Sequence, residues 1–202
     1  MEMILDKTIE TALESSITYN DYRALVADQV EHKQTSGDNQ SEALINYTML
    51  NDRRMKRWDK TVKVDPESVE TIQSFSGDTT WLVISESWCG DAAHLLPVMH
   101  KFSELNPNIK LRIVFRDEHL ELMDQYLTNG GRSIPKLIMI NNATGDVVNT
   151  YGPRPSVATE MVNAYKAEHG QLTPEFKEDL QRWYNKDKGQ TAIKDLKGIL
   201  GI

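Results

Sequence analysis

With 202 residues, 39% hydrophobic, 26% charged and a net charge of −7, the chain has the make-up of a globular domain plus extra length. The negative charge argues against nucleic acid and membrane surfaces as main partners, and no apolar run reaches the length of a membrane span. One cysteine excludes an internal disulfide framework, and the five histidines lack the close helical pairing of a metal site.

The first residues, Met1-Glu2-Met3-Ile4-Leu5-Asp6, show neither the basic region nor the apolar stretch of a secretory signal, so a reducing cytoplasm is the expected location. Residues 7–33 read as one helix with Ile9, Leu13, Ile17, Leu25, Val26 and Val30 on an imperfect stripe. After the polar break 35–39, a second helix spans 41–58. Arg53, Arg54, Lys56 and Arg57 make its end basic, which reads as a solvated helix end matched to the dipole rather than an anion site. Asp65-Pro66-Glu67 is a helix start, with Asp as N-cap and Pro at the first helical position.

From there the pattern alternates. Trp81-Leu82-Val83-Ile84 predicts a buried strand, 92–105 a helix, 111–115 a strand and 120–127 a helix. Residues 137–140 and 147–151 predict two strands joined by a hairpin-type turn. Gly152-Pro153-Arg154-Pro155 breaks the chain, and Ser156 is placed to cap a helix running to about 169. Thr173-Pro174-Glu175 starts another helix, carrying Phe176, Leu180, Trp183 and Tyr184. These aromatics read as docking the tail on the domain. A last helix carries Ile193, Leu196, Ile199 and Leu200. The order predicts an α/β fold with a mixed sheet covered by helices.

The stretch that carries chemistry is Trp88-Cys89-Gly90-Asp91-Ala92, at a strand-to-helix junction. Backbone N–H groups and the helix dipole favour a thiolate there. It resembles the thioredoxin active-site turn, whose usual form is Trp-Cys-Gly-Pro-Cys. Pro97 is similar to the proline that kinks the helix after that turn. Ile134-Pro135 is similar to the family's cis-proline pair, which faces the cysteine. The wider wording, including Asn129-Gly130-Gly131-Arg132-Ser133-Ile134-Pro135, resembles a bacterial branch of thioredoxin-like proteins with a single active-site cysteine. The resemblance implies a thioredoxin fold over 64–168, an N-terminal helical extension over 1–63 and a C-terminal helical arm over 169–202. It implies Cys89 as the catalytic residue, with Trp88, Gly90, Asp91, Ala92, Ile134, Pro135 and Lys136 at the active or substrate-binding surface. Trp88 reads equally as a substrate platform or a lid on the core.

The departures matter most. Ala92 cannot act as the resolving thiol of a dithiol protein. The family's buried acid aligns with Val83, so that proton relay is missing. Asp91 should raise the Cys89 pKa, while Lys136 or Arg132 could oppose it. His94 and His100 read as surface or boundary residues. The expected activity is monothiol thiol–disulfide exchange with protein or low-molecular-weight thiols and disulfides. No bound cofactor is expected, and glutathione could serve as the resolving thiol. An extended peptide could add as a strand along the Ile134 backbone. The alternative is a non-catalytic peptide- or protein-binding module. A third reading, iron–sulfur assembly through two protomers and glutathione, rests on the Cys-Gly-x-small spacing alone.

Overall fold

The computed structural model describes residues 6–202. Residues 1–5, on which the reading of the N-terminus rests, lie outside the described residues. The chain opens with two helices where the stripe predicts one. Helix α1 (Lys7–Ser15) starts at Asp6, whose carboxylate accepts from the Thr8 N–H at 2.8 Å. Helix α2 (Tyr19–Glu31) starts at a reciprocal capping box between Thr18 and Asp21. Between them Ile17 turns to exchange two backbone hydrogen bonds of 2.9 Å with Ile113. The apolar period runs on through the break because Ile17 packs against the same core as Ile9. Helix α3 (Glu42–Thr61) buries Met55 and Trp58, but also Thr48, Asn51 and Asp52. Helix α4 (Pro66–Ser74) begins at Asp65 with Pro66 in its first turn.

Strand β1 (Thr79–Ser85) is buried at every residue, as a central strand covered on both faces must be. It pairs in parallel with β2 (Ile109–Phe115) and antiparallel with β3 (Lys136–Asn141). Strand β4 (Val147–Tyr151) pairs antiparallel with β3, giving the sheet order β2-β1-β3-β4. Helix α5 (Ala92–Leu105) joins β1 to β2 and contains Pro97. Helix α6 (Leu120–Gln125) precedes β3 and stops short of the predicted Leu127. Helices α7 (Ser156–His169), α8 (Pro174–Asp187) and α9 (Gln190–Leu200) follow the sheet. Ser156 does not cap α7. Pro155 holds that position, and the Ser156 N–H and hydroxyl donate to Asp195 on α9 at 2.7 and 2.8 Å.

One hydrophobic core runs through all three sequence segments. Ile9, Ala12 and Tyr22 join it from the N-terminal helices, and Ala192, Ile193 and Leu196 from α9. Helices α7 and α8 form a separate small cluster of Ala158, Val162, Phe176, Leu180 and Tyr184. Among the described residues no helix is long and apolar enough to cross a membrane.

Candidate functional site

The turn after β1 is fixed from behind by the N-terminal helices. The fully buried Glu86 carboxylate accepts from the Ser36 hydroxyl and from the Asp117 N–H at 2.9 Å. Ser36 and Ser87 exchange backbone-to-hydroxyl hydrogen bonds, each 2.9 Å. Asn51 of α3 donates to the Ser87 carbonyl at 3.0 Å, and the Tyr22 hydroxyl donates to the Glu86 carbonyl at 3.3 Å. Buried polar groups need such partners, which explains the polar residues on the inner face of α3. Val83 is wholly buried, and Glu86, three residues further along, is a buried acid. Its pKa is pushed up, chiefly by burial.

Cys89 is 7% exposed. Its Sγ–H donates to the Ile134 carbonyl at 3.2 Å, beside the cis Ile134–Pro135 bond. Burial, then the Asp91 charge, push the thiol up to about 12. The backbone N–H groups of Ala92 and Asp91 and the Arg154 guanidinium pull the other way, more weakly. Asp91 stands at the N-cap position of α5 with its side chain 12% exposed. It pairs with Arg154 at 2.8 Å and accepts from the Tyr184 hydroxyl at 2.8 Å. Burial nevertheless raises its pKa above the usual carboxylate value.

The charge opposing Asp91 is therefore Arg154, not Lys136 or Arg132. Lys136 opens β3 opposite Ile84, and loss of water lowers its pKa. Arg132 is exposed and paired with Asp124 at 2.7 Å. Arg154 reaches the site because β4 ends in a tight corner. Gly152 has φ +107°, and a Cβ there would lie 2.2 Å from the Pro135 carbonyl oxygen. Trp88 is half-buried under the Arg116 guanidinium, 5.0 Å from the ring centroid. Gly90 sits beneath Arg54, and Ala92 is buried at the first residue of α5.

Two sequence readings are corrected here. His94 is not a surface residue. It is 2% exposed, stacked on Tyr184 with ring centroids 4.1 Å apart, and bonded to Gln181 at 2.8 Å. Burial pushes it down to about 3, so it is a neutral ring. Its face is covered by α8, an element too distant in sequence to enter any local pattern. The basic end of α3 is not wholly solvated either, because Arg54 is half-buried against the cysteine turn. Arg54 and Tyr184 are neighbours of the cysteine turn that the sequence reading placed elsewhere, as a solvated helix end and a docking aromatic, while Arg154 comes from the Gly-Pro-Arg-Pro corner after the last strand.

A cleft of about 720 Å³ opens over this turn. Trp88, Cys89, Asp91, Ile134 and Arg154 line it, joined by Leu180 from α8. A thiol at a strand-to-helix turn faces an Ile-cis-Pro pair on a four-stranded mixed sheet, and the architecture is that of a thioredoxin-like fold. The comparisons agree on fold and family. A family model described as thioredoxin matches residues 37–167, well over half of the chain, and the chain belongs to that family. A crystal structure of a Pseudomonas aeruginosa protein of unknown function superposes with a TM-score of 0.68 at 15% identity, covering 100% of this chain and 98% of that one. An HIV epitope scaffold superposes with a TM-score of 0.59 at 17% identity, covering 92% of this chain and 98% of that one. At such identities both are likenesses of fold. No curated protein matches the chain.

Proposed function

We propose that this protein is a monothiol thiol–disulfide exchange protein acting through Cys89. The observation that carries the reading is the position of the sulfur, which lines a ligand-sized cleft beside the Ile134–Pro135 loop. In the first step the Cys89 thiolate attacks a disulfide R–S–S–R′, forming Cys89–S–S–R and releasing R′–S⁻. In the second, a thiolate from outside attacks the mixed disulfide and frees Cys89. The chain holds no second cysteine, so a protein thiol or a small thiol such as glutathione performs that step. A reducing cytoplasm suits a protein that works as a free thiol.

Burial and the Asp91 charge hold the thiol well above its ordinary pKa, so the thiolate is a minor form at pH 7. The same observation supports the second reading, a binding module in which Cys89 stays a thiol bonded to the Ile134 carbonyl. Intact-mass measurement separates the two. The protein and its Cys89→Ser variant are incubated with a small disulfide at pH 7.5 and 9.5, then with excess thiol. One adduct per chain, faster at the higher pH, removed by thiol and absent from the variant, is the expected result. If only the unfolded chain forms the adduct, the binding module is the better reading.

A further inference from the structure

The cleft beside Cys89 is cationic in an acidic protein. The chain carries −7, yet Arg54, Arg116, Arg132, Arg154 and Lys177 line this cleft against Asp91 and Glu178. Arg154, Arg116 and Arg132 each have a carboxylate within 2.8 Å, from Asp91, Asp117 and Asp124. Among the described residues Arg54 has no carboxylate in ion-pair range. Its Nη1 donates to the Asn51 amide oxygen at 3.0 Å. The same nitrogen lies 3.4 Å from where a Cβ on Gly90 would stand, which places it next to the cysteine turn. Arg53 and Arg57 share with it an adjoining hollow of about 240 Å³. Burial, and then the like charge of Arg57, hold its pKa below the ordinary arginine value.

A half-buried guanidinium beside Arg57, with no carboxylate in ion-pair range and only the more distant Asp91 charge to offset it, is an unfavourable arrangement in the empty protein. It becomes favourable when an anion arrives. The planar fork of arginine matches a carboxylate, with two parallel N–H···O bonds available. Arg154 and the Tyr184 hydroxyl hold the two oxygens of Asp91, which partly offsets its repulsion of such an anion. The exposed Lys177 on α8 lines the same cleft and is also without a carboxylate partner among the described residues.

We infer that Arg54 is the carboxylate-recognising residue of the Cys89 cleft, which selects low-molecular-weight thiols and disulfides that bear a carboxylate. The inference rests on the monothiol reading and names its substrate class. The ligand's carboxylate seats on Arg54 with help from Lys177, and its sulfur meets Cys89. Cys89 first gives its thiol proton to water, and Sγ then bonds to the nearer ligand sulfur as the ligand's S–S bond breaks. The farther sulfur leaves as a thiolate that takes a proton from water. The disulfide itself is the oxidant.

The test compares three small disulfides of similar length: dithiodipropionate, which is anionic, bis(2-hydroxyethyl) disulfide, which is neutral, and cystamine, which is cationic. Adduct formation at Cys89 is followed by intact mass, and each rate is divided by that of the unfolded chain. The anionic probe is expected to react about tenfold faster than the neutral one, with the cation slowest. In Arg54→Gln, which keeps a polar group beside Asn51, the ratio of the anionic to the neutral rate should fall to about one. Equal rates for all three probes overturn the inference and leave the monothiol reading standing. If no probe reacts, the monothiol reading fails, and binding of unreactive S-methylglutathione, measured by calorimetry, decides the rest. Binding lost in Arg54→Gln then supports the carboxylate site, and no binding to the parent overturns it.

Discussion

At the scale of single residues, the reactivity of Cys89 is set first by its burial and then by its neighbours. The Ile134 carbonyl accepts the thiol proton, Asp91 opposes a thiolate, and Arg154 partly cancels Asp91. Replacing Asp91 by Asn removes the repulsion and frees Arg154 to act on the sulfur alone, so both effects favour the thiolate. Iodoacetamide labelling of Asp91→Asn at pH 8 should be about threefold to tenfold faster than the parent. Lys136→Ala should label at the parent rate, because the charges acting most on the sulfur are Asp91 and Arg154. An unchanged Asp91→Asn rate would mean that the carboxylate does not govern the thiol. His94 makes a separate pH statement. Its folded pKa is depressed to about 3, so its stabilising effect is complete above the ordinary histidine value of 6.5 and is lost as pH falls toward 3. In His94→Phe, which keeps an aromatic ring on Tyr184, denaturant unfolding between pH 6.5 and 4 should depend less on pH, by up to about tenfold in the unfolding constant per pH unit.

At the scale of elements, the α7–α8 hairpin is the part that turns a plain sheet surface into a cleft. It has its own small core and meets the cysteine helix through polar contacts: Tyr184 to Asp91, Gln181 to His94. Asn185 of α8 accepts from Arg57 of α3. Tyr184→Phe leaves an oxygen of the buried Asp91 without its hydroxyl donor, a loss of about 1–3 kcal/mol. Thermal unfolding should show it, and Cys89 labelling should speed up if α8 lifts away. The corner after β4 is stricter. Gly152 combines φ +107° with a backbone oxygen where a Cβ would sit, and neither can be relieved by a side-chain rotation. Gly152→Ala should lower stability by about 3 kcal/mol or more and displace Arg154 from Asp91. Near-parental chemical unfolding of that variant would show that the corner is more yielding than its geometry.

At the scale of the whole molecule, alkali should unfold the protein from the inside. Burial raises the pKa of Cys89 and of Tyr19, Tyr22, Tyr151 and Tyr184. Raised folded-state values mean that their contribution is complete at neutral pH and lost as pH climbs above about 9. Cys89→Ser should flatten the first part of that decline, read from denaturant midpoints at pH 8, 9 and 10. The sequence by itself determined the strand and helix order from 66 onward, because β1 is apolar throughout and the helix starts at Asp65-Pro66 and Thr173-Pro174 are local signals. It also made the Cys89 turn and the Ile134–Pro135 pair legible as short motifs, although the turn is held in place by Tyr22, Ser36 and Asn51. It missed the break at Ile17, since a buried bridge and a helix face can share one apolar period. Only the tertiary structure decided what surrounds the thiol. Arg54, Arg154 and Tyr184 come from α3, the β4–α7 corner and α8, so their meeting depends on how helices pack over the sheet. Burial and the distance between charges set a pKa and a binding preference, and neither quantity exists until the chain has folded.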